Sequence, residues 1–224
     1  MESFSLILKF FLLAFSALLP VINPLGSALI LLGVAGNAPG PVFRKLALKI
    51  AIRTTLFLVI VELVGTALLR FFGISLPVVQ VAGGLVLATI GWTLLNQAEP
   101  QTSPDQAQIA EVSFESLQEK IFYPLTFPLT AGPGCIVVML TLSAQASMPR
   151  ILAEAMTHLG IFLAVVVLSL IVFVSYGYAP KITEHISPQT AHGILRVISF
   201  VLLCIGVQIT WNGVAALLKT ILKA

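Results

Sequence analysis

The chain has 224 residues, 58% of them hydrophobic and 9% charged, with a formal net charge of +3 and a mean hydropathy of +1.05. That balance excludes a soluble globular domain, in which about 25% of residues are charged, and the small positive charge gives no reason to expect a nucleic-acid partner. At about 20 residues per crossing, roughly six membrane spans fill the chain and leave no room for a soluble domain.

The first apolar segment runs from Phe4 to Ala35. Glu2 and Lys9 precede or open it, with no basic leader and no small-residue cleavage site, so it reads as a retained span. It is interrupted at Asn23-Pro24-Leu25-Gly26. Proline removes an N–H and clashes with the carbonyl one turn back, while glycine lets backbone approach closely. Lipid cannot satisfy a freed peptide group, so a broken membrane helix persists only where it lines a cavity or is buried in protein.

The second segment runs from Ala47 to Phe72 and carries Glu62 near its middle. An acid at that depth costs a few kcal/mol and is a functional hypothesis by default. Glu62 reads either as a proton or ammonium relay or as a protonated acid donating to a backbone carbonyl, and the sequence leaves the two level. Arg53 lies nine residues earlier, half a helical turn out of phase, and so faces away. The third segment, Leu76 to Leu95, holds Gly83-Gly84 and Gly91.

Residues 96–120 are polar and marked by Pro100 and Pro104, and they hold five of the nine acids: Glu99, Asp105, Glu111, Glu115 and Glu119. This stretch reads as a tether with one short surface helix. The fourth segment, Ile121 to Ala144, is interrupted at Gly132-Pro133-Gly134. The fifth, Ile151 to Tyr178, opens with Glu154 and His158, an i,i+4 pair expected to meet as an interfacial ion pair. The sixth runs from Ala191 to Leu218. Gln80, Gln145, Arg196, Gln208 and Asn212 read as interhelical glue. Cys135 and Cys204 read as small packing residues.

The two halves resemble each other: a broken helix, an unbroken one, then a glycine-bearing one, with Gly91 and Gly206 in matching positions. Three spans per half force the second half to cross in the opposite sense. The expected fold is therefore an all-α membrane protein of six transmembrane helices, built as two inverted three-helix repeats with broken first and fourth helices. The first repeat takes residues 1–96, the acidic linker 97–120 and the second repeat 121–224. Arg44, Lys45, Lys49, Lys120, Lys181 and Arg196 fall on one side, and Lys9, Arg70, Arg150, Lys219 and Lys223 on the other. The denser cluster should face the cytoplasm, which puts both termini outside.

Paired breaks in corresponding positions of two repeats point to a transport site near the bilayer midplane. Asn23, Pro24 and Gly26 in one half, with Thr126, Thr130, Gly132, Pro133 and Gly134 in the other, are the candidate substrate-binding residues. Half-helix ends present N–H groups and positive dipole to an anionic group such as a carboxylate. No catalytic triad, metal cluster, phosphate loop or dinucleotide fingerprint is present, so neither an enzyme nor a cofactor is expected.

Asn23-Pro24-Leu25-Gly26, Val81-Ala82-Gly83-Gly84-Leu85, Pro124-Leu125-Thr126-Phe127-Pro128-Leu129-Thr130-Ala131-Gly132-Pro133-Gly134 and Val207-Gln208-Ile209-Thr210-Trp211-Asn212-Gly213 resemble the MarC family of bacterial inner-membrane proteins. The match covers nearly the whole chain except the linker, and the proline-glycine stretch is its most specific part. Ser199 departs from the glycine often found there. The resemblance implies membership of the lysine-exporter superfamily, six spans, periplasmic termini and transport of small neutral amino acids. The partners expected are the bilayer and a small solute; homo-oligomers are common among small membrane bundles, and the sequence fixes no number. A flippase for an anionic isoprenoid-phosphate carrier and a non-transporting scaffold are the alternatives.

Overall fold

The computed structural model describes residues 2–35, 38–96, 114–181 and 188–222. Among these, every regular element is helical: α1 (Glu2–Ile22), α2 (Pro24–Ala35), α3 (Gly40–Phe71), α4 (Leu76–Asn96), a short α5 (Phe114–Glu119), a wide-turned segment Ile121–Thr130, α6 (Pro133–Ala146), α7 (Ile151–Gly177) and α8 (Pro188–Ile221). Five stretches are long and apolar enough to cross a bilayer: Ser3–Leu32, Gly40–Phe71, Leu76–Asn96, Ile151–Gly177 and Gly193–Thr220. The sixth is Ile121–Thr130 with Pro133–Ala146, if this pair, bent by 64°, counts as one span.

Two differences from the sequence reading have local causes. Helix α3 starts seven residues before the expected Ala47, because extended Pro39 closes its N-terminus and a proline occupies its first turn. Arg44, Lys45 and Lys49 therefore lie on the opening turns of a helix, where charged heads reach the surface along their apolar stems. Residues 97–113 of the acidic linker lie outside the described residues. Its described end is α5, which is fixed to the bundle by the buried Leu117.

The helices pack as partners of opposite direction. Along α3 and α7, Gly177 sits beside Ala47 and Arg44, the Thr55 hydroxyl is 2.8 Å from Ser169 Oγ, and Glu62 meets His158. Helices α1 and α2 lie along α7, and α6 packs against α3, α4 and α1. Lipid tails are as apolar as the helices, so small residues and buried polar contacts must hold the bundle together. The α4–α8 contact is of the first kind. A Cβ on Gly84 would stand 2.7 Å from Gly206 O, and one on Gly91 2.9 Å from Ser199 O. One on Gly213 would stand 2.6 Å from Pro77 O. The backbones therefore run in contact, antiparallel, along the length of α4. Leu56, Leu63 and Leu170, each about 60% exposed, project outward as lipid-facing side chains do.

Candidate functional site

At the first break Asn23 takes a left-handed conformation (φ 46°). Its N–H still donates to Leu19 O at 3.1 Å, ending α1. Its side-chain Oδ1 accepts the Gly26 N–H at 3.1 Å, capping α2, while Pro24 fills the first position of α2, where no donor is needed. Gly26 is required there, because a Cβ would collide with the Asn23 amide. The Gly26 N–H is thus diverted from Ile22 O, and the Ser27 hydroxyl reaches back to that carbonyl at 3.2 Å.

The second break is wound differently. Tyr123 and Phe127, each preceding a proline, are extended (φ −120° and −121°), as the proline ring demands of its predecessor. Both following prolines, Pro124 and Pro128, are joined by cis peptides. Backbone bonds reach back five residues, from Leu125 N to Lys120 O at 3.1 Å and from Ala131 N to Thr126 O at 2.8 Å. The two threonine hydroxyls repeat that reach, Thr126 to Ile121 O at 2.7 Å and Thr130 to Leu125 O at 2.6 Å. Prolines 124 and 128 face outward while Thr126 and Thr130 are fully buried. Gly132, extended, then precedes Pro133 at the start of α6. A Cβ on Gly132 would stand 2.8 Å from Pro128 O.

The structure brings the two breaks together. Ser27 Oγ lies 3.3 Å from Leu129 O, so one hydroxyl spans them. Gly134 faces Val21 of α1 and Leu87 of α4. Thr130 Oγ1 is 2.8 Å from the hydroxyl of Tyr176, a fully buried residue of α7, and Ser27 also reaches that hydroxyl. Of the residues expected at the site, Pro24, Gly26, Thr126, Thr130 and Gly134 are buried, Asn23 and Gly132 are half-buried, and Pro133 is exposed. Sequence reasoning missed Ser27 and Tyr176. Ser27 is legible once Gly26 N–H is seen to be taken by Asn23, and Tyr176 is the one phenolic hydroxyl in the largely apolar run Leu170–Tyr176. The tandem Tyr123-Pro124-Leu125-Thr126 and Phe127-Pro128-Leu129-Thr130 is the sequence signature of the wide turns.

Glu62 lies apart from this cluster, about one and a half turns beyond Phe57, whose ring packs 5.7 Å from Phe127. It is 3% exposed, and its Oε1 is 3.0 Å from His158 Nδ1. The carboxyl thus finds an imidazole, where the sequence offered a backbone carbonyl as the alternative. The expected Glu154–His158 pairing is replaced, since His158 turns inward across the α3–α7 contact. Ser143 of α6 donates to the Glu62 backbone carbonyl at 2.8 Å. Among the expected glue residues, Gln80 Nε2 does reach between helices, 3.4 Å from Thr141 Oγ1. Gln208 instead bonds Asn212 within α8, at 2.9 Å.

The profile described as "MarC family integral membrane protein" matches residues 8–218. The UPF0056 inner membrane protein MarC of Escherichia coli O157:H7 is 29% identical over 205 residues, covering 91% of this chain and 93% of that protein. Proteins of the same name from Escherichia coli O1:K1 / APEC and from strain K12 / DH10B are 28% identical over the same coverage. No solved structure matches the chain.

Proposed function

The chain belongs to the MarC family of integral membrane proteins, multi-pass residents of the inner membrane, and from that premise we propose that it is a secondary transporter for small neutral amino acids, working without cofactor or catalysis. The observation that carries this is the meeting of two interrupted helices inside the bundle, with Ser27 bridging to Leu129 O and Thr130 to Tyr176. Irregular backbone within a membrane persists only where it is buried in protein or lines a cavity, and here two such stretches share one hydroxyl-lined contact. A zwitterionic solute would draw these hydroxyls from their present acceptors, its carboxylate taking the Ser27, Thr130 and Tyr176 donors together with the Gly134 N–H at the start of α6.

We read the architecture as two inverted repeats. In such a repeat the first span corresponds to the fourth, the second to the fifth and the third to the sixth. Each of these corresponding pairs is in contact: α1 with α6, α3 with α7 and α4 with α8. Rocking of one half on the other would open the breaks to each face in turn. Both termini are placed in the periplasm on the strength of the basic residues around the start of α3.

The lipid-facing groove between α4 and α8, about 190 Å³ and lined by Leu85, Ala88, Val207, Thr210, Trp211 and Val214, holds no cation. A phosphate headgroup has nothing to bind there; the flippase alternative would seat its phosphate at the half-helix ends instead. The close packing of Thr126 and Thr130 is what a scaffold would also display. Counterflow of labelled L-alanine in proteoliposomes separates the two: the transporter exchanges alanine, and the Gly132→Leu variant, whose side chain would strike Pro128 O, does not. A wild-type protein without exchange, or a Gly132→Leu variant with wild-type exchange, would overturn the reading.

A further inference from the structure

Outside the hydroxyl cluster, the bundle holds one close pair of titratable side chains among the described residues, the buried Glu62 of α3 and the half-buried His158 of α7. We infer that Glu62 and His158 together form a proton-binding site, and that the contact between the second and fifth spans opens when the site gives up its proton. Its link to solute movement rests on the transport reading; the existence of the site does not.

Three observations carry it. First, the carboxyl group has a single side-chain partner, His158 at 3.0 Å, since Ser143 is spent on the Glu62 backbone carbonyl. A carboxylate held by several donors stays ionised, whereas one held by a single imidazole can exchange a proton with it. Histidine is the side chain whose ordinary titration falls in the physiological range. Second, no fixed charge stands in for the proton. Glu154 lies one turn before His158 on α7 and Arg150 precedes that helix. On α3, Arg70 lies about two turns beyond Glu62. On α1, the Lys9 ammonium lies over the Phe10 ring at 6.0 Å. Only His158 is within ion-pair distance of Glu62 among the described residues. Third, the pair lies near one end of the two helices. His158 is 27% exposed while Glu62 is 3% exposed. The pair lies about 10–14 Å inside the face where α3 ends and α7 begins, nine residues before Phe71 and seven after Ile151.

The coupling follows from charge. With one proton shared, carboxylate and imidazole carry no net charge, a tolerable state in a medium of low dielectric. Loss of that proton to water leaves an unpaired carboxylate, which is strongly unfavourable until water reaches it. Water reaches Glu62 only if α3 and α7 separate at this end, and these are the helices that the inverted-repeat reading makes equivalent. Protonation thus favours the closed contact and deprotonation the open one.

The test is an infrared pH titration of the protein in liposomes, following the C=O stretch of protonated carboxylic acid, for wild type, Glu62→Gln, Glu62→Asp and His158→Gln. Spin labels at the exposed Phe71 and Leu152 positions then report the α3–α7 distance on either side of the titration midpoint. The expected result, read as the difference from Glu62→Gln so that the other carboxyl groups cancel, is a band that grows on acidification in wild type, persists at a shifted frequency in Glu62→Asp, and in His158→Gln has its midpoint displaced by about tenfold in proton concentration. A longer label distance should appear on the alkaline side in wild type and be insensitive to pH in Glu62→Gln. A band unchanged by Glu62→Gln, or a His158→Gln midpoint equal to wild type, would overturn the proton site. A label distance independent of pH in wild type would overturn the opening. Neither measurement uses a solute, so absence of alanine exchange would sink the transport reading and leave these outcomes decisive for the pair.

Discussion

The informative residues are those whose polar groups have been redirected. Asn23 ends one helix and caps the next, and its left-handed backbone is tolerated because asparagine accepts that conformation better than most residues. Asn23→Ala should lower stability by about 1 kcal/mol or more, read as an earlier unfolding midpoint in mixed detergent, whereas Asn23→Gly should cost a few tenths. Tyr176→Phe and Thr130→Val each remove one end of a buried hydrogen bond. Each should cost about 1 kcal/mol, and the double variant less than their sum; strict additivity would show the bond to be idle. Thr54, fully buried on α3, has a hydroxyl without a protein partner. Thr54→Val should therefore leave stability unchanged or raise it, since an unsatisfied buried hydroxyl is a cost; a drop of more than about 1 kcal/mol would mean that water or solute serves it.

Among the elements, the two breaks were legible as positions and not as shapes. Proline, glycine and asparagine inside apolar runs fix where a helix must fail, but not how the freed carbonyls are satisfied. The first break leaves Ser3–Leu32 as one span, whereas the second bends by 64°. The difference lies in side chains: one asparagine cap and one serine suffice at Pro24, while Pro124 and Pro128 need two buried threonines reaching back five residues. The Glu62–His158 contact was illegible because it joins helices 96 residues apart in the chain, and periodicity informs only on neighbours within a helix. The α4–α8 seam was legible as glycines that permit close packing, and the structure adds the pairing. Ser199 lies in that seam, its backbone carbonyl against Gly91 and its hydroxyl turned back to Leu195 O at 2.6 Å. Gly206→Leu, which would drive a side chain into Gly84 O and Ala88, should separate α4 from α8. The expected readout is a longer distance between spin labels at the exposed Trp92 and Phe200 positions; an unchanged distance would show that the seam tolerates the side chain.

For the molecule as a whole, composition dictated a membrane bundle, and the two breaks are the ground on which pairs of equivalent spans are proposed. What composition could not supply is the solute, since a hydroxyl-lined contact between two half-helices fits many small zwitterions. A reporter fused after the last helix should be active as a periplasmic phosphatase and dark as a cytoplasmic fluorescent protein; the opposite pattern would invert the orientation. The most direct test of the central claim, that the meeting of the two breaks is a solute path, is L-alanine counterflow in proteoliposomes. The account predicts transient accumulation of labelled alanine with wild type and none with an equal amount of folded, membrane-inserted Gly132→Leu. Flux equal to that of protein-free liposomes, or equal in the two proteins, would contradict it.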